Sequence, residues 1–290
     1  MSSKGRRAPW LAGLTGLYLF WSLAPVLIAV LFSFNAGRSR TEWQGFSFQW
    51  YVGEPERSVW ADEALQTALI HTFRLGILVT LIAVPLGTLM ALGLDRWRGR
   101  LPTGASFLVM LSFVLPEILL AIALMFVANH IGDEIFANPV RLGTIGQVIG
   151  LVTFQISYPV IIVRARLLTI GHHYEEAAID LGASPIESLR RVLLPLAFPA
   201  ILASAVLVFA DVIDDFVLVR YLSGGSTTEP VSVKIYNTAR AAPTPALNAI
   251  ATLVLVASLL AVLLGYLAYR RMTRGEDERT VGIDAFTGEA

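Results

Sequence analysis

Four carboxylates interrupt apolar stretches of this chain. Asp211, Asp214 and Asp215 stand at i, i+3 and i+4, a spacing that places them on one face of a helix. Glu117 directly follows Pro116, whose ring and missing N–H distort a helix and open a polar cavity in mid-span. Carboxylates gathered in this way repel one another unless a cation compensates them or some hold protons. They suit a pathway for a positively charged solute. A structural reading competes: Arg74 or Arg220 neutralises one acid, and Asp211 faces outer water or a partner subunit. His71 reads as a packing or interfacial residue. Gln155, Ser157 and Tyr158, ahead of Pro159, read as suppliers of interhelical hydrogen bonds.

A second polar stretch lies between two apolar ones. Glu176-Ala177-Ala178-Ile179-Asp180-Leu181-Gly182 is followed, after nine residues, by Val192-Leu193-Leu194-Pro195. Good helix formers fill 174–181, and Glu175 and Glu176 sit where the helix dipole favours acids. Gly182 occupies the position of a left-handed C-cap. Ser184-Pro185-Ile186-Glu187 is a capping box, with proline at the first helical position. A second helix is expected from Pro185 until Pro195 interrupts it. Two short helices around a glycine turn make a compact knob. Local chemistry alone equally allows an amphipathic loop resting on a membrane surface.

Composition decides what positions these groups. Apolar residues make up 55% of the chain, charged residues 15%, and mean hydropathy is +0.65. An ordinary soluble domain carries about 25% charged residues, so this is a membrane protein. Six apolar stretches reach the roughly 20 residues of a spanning helix: 10–34, 67–94, 104–128, 143–163, 196–219 and 246–269. The first is too long for a signal-peptide core and reads as a retained anchor. Gly143, Gly146 and Gly150 fit close helix packing. With no cysteine and four scattered histidines, disulfides, iron–sulfur clusters and an evident metal site are excluded. Zero net charge gives no argument for nucleic acid.

Lysine and arginine set the orientation. With the N-terminus inside, inside segments hold fourteen and outside segments six, while Arg74 and Arg220 lie within or at the edge of spans. Both termini and the 164–195 loop are therefore expected in the cytoplasm. The chain divides into a cytoplasmic N-terminus (1–9), a transmembrane domain (10–270) and a cytoplasmic tail (271–290) expected to be disordered. The 35–66 loop, with Trp43, Trp50, Tyr51 and Trp60, and the 221–245 loop are the outer surfaces open to the interface or to a partner.

The run Glu176-Ala177-Ala178, Gly182, Val192, Leu194-Pro195 resembles the signature of permease subunits of bacterial ABC importers, although that family more often has isoleucine where Val192 stands. The resemblance covers roughly 65–270. Leu115-Pro116-Glu117, Asp214-Asp215-Phe216 and the 230–236 and 243–249 stretches resemble the spermidine/putrescine branch. It implies an all-α integral membrane protein with six transmembrane helices, the type I importer fold and cytoplasmic coupling helices. Glu176, Ala177, Ala178, Gly182, Ser184, Pro185, Leu194 and Pro195 would then form the ATPase contact. Glu117, Asp211, Asp214 and Asp215 would line the path of a polyamine or similar cation.

The chain has no Gly-x-x-x-x-Gly-Lys-Ser/Thr loop, so ATP and Mg are expected on two copies of a cytoplasmic ATPase subunit rather than here. A second homologous permease (a heterodimer rather than a homodimer) and an extracytoplasmic solute-binding protein complete the implied assembly in a bacterial inner membrane. The chain is then a transporter subunit with no cofactor of its own, not an enzyme. A self-contained proton- or sodium-coupled transporter is the alternative. It would need dimerisation, since no inverted repeat is evident, and it leaves the knob without a purpose. A membrane scaffold or intramembrane enzyme is a third class, unsupported by His-Glu-x-x-His or Gly-x-Ser-x-Gly.

Overall fold

Helices begin and end where apolar runs meet prolines, glycines and caps. The computed structural model describes residues 9–39, 42–53, 58–97, 100–136, 142–241 and 244–287; residues 1–8 of the expected N-terminal segment lie outside them. In chain order the helices are α1 (Pro9–Phe32), α2 (Glu63–Arg96), α3 (Arg100–Val114), α4 (Glu117–Phe136), α5 (Thr144–Gln155), α6 (Ser157–Ile170), α7 (His173–Asp180), α8 (Pro185–Ser188), α9 (Leu194–Asp214), α10 (Val217–Tyr221), α11 (Val231–Ala241) and α12 (Pro245–Thr287). Leu189–Leu193 is a π-helical turn that joins α8 to α9 without a break. Among the described residues no strand occurs beyond an isolated bridge between Asn35 and Phe46.

Among the described residues five helices are long and apolar enough to cross a membrane, or six when a bent pair counts as one span. That pair is α3 and α4, bent by 102° at Leu115-Pro116. Proline pushes the preceding residue out of helical geometry and cannot donate to the turn before it. The expected distortion at Pro116 is thus a full break. By contrast, the expected stop at Pro195 does not occur. The amide of Leu194 donates to Leu189 O across the wide π turn, and α9 continues through Pro195. A widened turn draws the preceding carbonyls away from the proline ring, which removes the usual clash. The 271–290 tail is likewise helical as far as Thr287. It contains no proline, and extending an existing helix avoids the cost of nucleation.

The chain forms two compact units. One comprises 1–66 and 234–255. In it Asn35 Nδ2 donates to the carbonyls of Ser39 and Glu42, both at 3.0 Å, and its Oδ1 accepts from Gln44 N at 2.8 Å. Phe34, Phe46, Phe48 and Tyr51 stack around this turn. Trp50 is buried and donates Nε1–H to Asn35 O at 2.7 Å, so it packs the loop rather than anchoring it at an interface.

The other unit comprises 67–233 and 256–290. Its core joins Leu75, Val79 and Ala83 of α2 to Leu151 of α5, Val208 and Val212 of α9, and Leu218 of α10. Gly150 lets α5 and α10 meet closely, since a side chain there would collide with Leu222.

Candidate functional site

Two interrupted helices bring the acids together. The break at Leu115-Pro116 makes Glu117 the first residue of α4, where the positive end of the helix dipole faces its carboxylate. The second break follows Asp214, the last residue of α9. Asp215 leaves the helix with φ −56° and ψ 135°. It therefore does not share a helical face with Asp211 and Asp214, as the i, i+4 spacing led us to expect. Its Oδ1 instead accepts Val219 N–H of α10 at 3.2 Å, and its carbonyl accepts Ser232 Oγ–H at 2.6 Å. This turn sets the Asp215 carboxyl beside Glu117. Asp211 lies within electrostatic range of Asp214, Asp215 and Tyr158, and Glu117 of Tyr158, so the four acids and the phenol form one loose cluster, in which no three acids among the described residues converge closely enough to hold a metal ion.

Two buried acceptor oxygens, one on an acid of the cluster and one on the amide beside it, lack donors. Gln155 is fully buried and donates Nε2–H to Asp211 Oδ2 at 2.6 Å, the interhelical bond expected of it. Its Oε1 and Glu117 Oε1 are buried without a hydrogen-bond partner. Ser157 Oγ is also unpaired, contrary to its expected interhelical role. Tyr158 packs edge-on against Phe113 and Phe154. Arg74 is exposed on α2. A cluster of carboxylates with unanswered acceptor oxygens matches a group made only of donors, such as an ammonium.

A buried network holds this geometry. His71, expected as a packing or interfacial residue, is buried, and its Nε2 meets Gln147 Oε1 at 2.8 Å. Gln147 Nε2 then donates to the carbonyls of Val219 (3.0 Å) and Thr228 (2.9 Å). Val219 is the residue whose amide holds Asp215, so Gln147 supports that acid through one intermediate. Thr72 Oγ1 accepts Val231 N–H at 2.9 Å and ties the following segment to α2. Neither Gln147 nor Thr72 was legible in the sequence, because their partners lie 72 to 159 residues away.

The Glu176–Pro195 segment has the expected caps. At its turn Gly182 has φ +89°, Gly182 N donates to Ile179 O at 2.8 Å and Ala183 N to Ala178 O at 3.0 Å, the Schellman pattern. Both bonds of the capping box are present: Glu187 N to Ser184 Oγ at 3.3 Å and Ser184 N to Glu187 Oε2 at 3.1 Å. Arg96 Nη2 pairs with Glu175 Oε1 at 2.6 Å and fixes α7 to the end of α2. Glu176, Ala177, Gly182, Ser184 and Pro185 are exposed, and Ala178 is half-buried. The sequence reading overlooked Leu181 and Ile186, which are 90% and 76% exposed on the same tip. Leu194 and Pro195 stand apart from the tip, beyond the π turn. They line an apolar groove of about 820 Å³ with Pro85, Leu89 and Phe198.

Comparisons with known proteins bear on both features. The model of a family described as binding-protein-dependent transport system inner membrane component matches residues 83–275. The putrescine transport system permease protein PotI of Escherichia coli (strain K12) is 32% identical over 280 residues, 94% of each chain. The spermidine/putrescine transport system permease protein PotC of the same strain is 33% identical over 265 residues, 90% of this chain and 94% of the relative. The fold is similar to a crystal structure of a bacterial ABC transporter involved in import of the acidic polysaccharide alginate. That likeness has a TM-score of 0.74 and 18% identity, and it covers 92% of this chain and 97% of the other. With its apolar spans, its two broken helices and its capped tip between α6 and α9, the chain belongs to the inner-membrane permease components of binding-protein-dependent ABC importers.

Proposed function

We propose that this permease subunit forms the translocation path for a polyamine or a similar small cation. The observation that carries the reading is the carboxylate cluster of Glu117, Asp211, Asp214 and Asp215 beside Gln155, with two buried oxygens, Glu117 Oε1 and Gln155 Oε1, lacking donors. Broken helices at membrane depth are tolerated where they line a cavity, and transporter sites form at such breaks. The polyamine permeases above, each about one-third identical, support the same cargo. Fold alone does not choose it, since a fold neighbour imports an acidic polysaccharide.

In this reading the Glu176–Pro185 tip faces the cytoplasm, as the lysine and arginine bias indicates. A Leu181 exposed to 90% calls for a covering surface, here a groove on an ATPase subunit that binds ATP and Mg. Two such subunits, a second permease and an extracytoplasmic binding protein complete the importer. ATP-driven closure displaces the tip, and the unbroken α8–π–α9 rod carries that displacement towards Asp211.

The reading is tested by ATP-driven uptake into proteoliposomes that contain the complex and its binding protein. The expected result is uptake of putrescine or spermidine, and none of neutral or anionic solutes of similar size. Uptake that favours an anionic solute would overturn the cargo. Uptake driven by a proton gradient without ATP would overturn the importer reading.

A further inference from the structure

Arg164 of α6 is a charge that neither the acid cluster nor the coupling tip uses. Its Nη1 donates to Ser106 Oγ of α3 at 2.7 Å, while its Nε is buried without a hydrogen-bond partner. No carboxylate pairs with it among the described residues. A guanidinium does not shed its proton, so a partly buried and unpaired one calls for an anion. Beside it runs a slot of about 280 Å³ between α3 and α6, walled by Val109, Met110, Ile161 and Leu168. Met110 is 64% and Leu168 69% exposed, so the slot opens outward.

A cation set in the wall of an apolar slot has the form of a phospholipid imprint. We propose that the slot holds one anionic phospholipid. Its phosphate meets the Arg164 guanidinium and the Ser106 hydroxyl, and an acyl chain lies along Val109, Met110 and Ile161. The walls offer a soluble anion no further donors. A helix of a second subunit, about 10 Å across, is too wide for a slot of this volume. The lipid would bridge α3, which runs to the break before Glu117, and α6, which leads through Gly171 into α7. Only the choice of leaflet, the one on the side of the coupling tip, rests on the orientation proposed above.

The test uses the full-length chain with its assembled subunits, in nanodiscs of phosphatidylglycerol and phosphatidylcholine. Lipids retained on transfer to detergent are counted by native mass spectrometry. One phosphatidylglycerol per chain is expected, and Arg164→Gln should lower its retention about fivefold. Arg164→Lys should keep most of it. Ile161→Trp, which fills the slot and leaves the guanidinium in place, should displace it. Undiminished retention in Arg164→Gln and Ile161→Trp would overturn the proposal. So would displacement by inorganic phosphate, which marks a soluble-anion site, or a photo-crosslinker at Met110 that captures a subunit instead of a lipid. Labelling of a cysteine placed at Arg191 from either side reads orientation separately, so a reversed topology changes the leaflet and not the retention.

Discussion

Glu117 Oε1 has no donor although it is buried, and Gln155 Oε1 shares that condition in the same cluster. In the proposed path an arriving ammonium would supply the missing donors, and each charged hydrogen bond contributes about 1.5–3 kcal/mol. Glu117→Gln should therefore lower uptake of a divalent polyamine about tenfold to a hundredfold, with assembly of the complex unchanged. Gln147→Leu acts one residue further out, by freeing the carbonyls of Val219 and Thr228, and should cost less. Equal uptake in wild type and Glu117→Gln proteoliposomes would assign the acid a structural role. The acids themselves were legible, because a carboxylate in an apolar run stands out. Their arrangement was not. A break at Asp215 turns that side chain off the helix and onto α10, and neither hydropathy nor i, i+4 counting registers such a break.

At the level of elements, local chemistry was the most legible part. The Schellman turn at Gly182 and the Ser184–Glu187 box form from residues within six positions of one another, so their signals lie together in the sequence. Prolines were less legible, since Pro116 breaks its span and Pro195 does not. The difference lies in a π turn that only the full helix displays. Gly182 also permits a clean test of the tip. A Cβ added there meets nothing within 4 Å, so within this chain a side chain costs only the left-handed φ, about 1–2 kcal/mol. Gly182→Trp should leave membrane insertion and substrate-binding residues intact, yet abolish uptake and uncouple ATP hydrolysis by obstructing the ATPase groove. Uptake at the wild-type rate would show that the tip is not the contact.

For the molecule as a whole, the six spans and the family were readable from apolar length and one spaced motif. The arrangement of the acids was not, because it depends on two helix breaks far apart in the sequence. The wide turn at Leu189–Leu193 bears on how the chain tolerates changes in length. A π turn holds one residue more than an α turn, while the helical segments on either side keep their phase. Loss of Val192 can thus be absorbed by tightening that turn, at the cost of a kink at Pro195. Loss of Leu202, inside regular α9, would rotate everything beyond it by about 100° and swing Asp211 away from Gln155. Polyamine uptake should survive the first deletion in part and vanish with the second. Cysteine cross-linking between positions 155 and 211 should report the change in phase directly. In the proposed importer that spare length lies between the tip assigned to the ATPase contact and the acids assigned to the cargo.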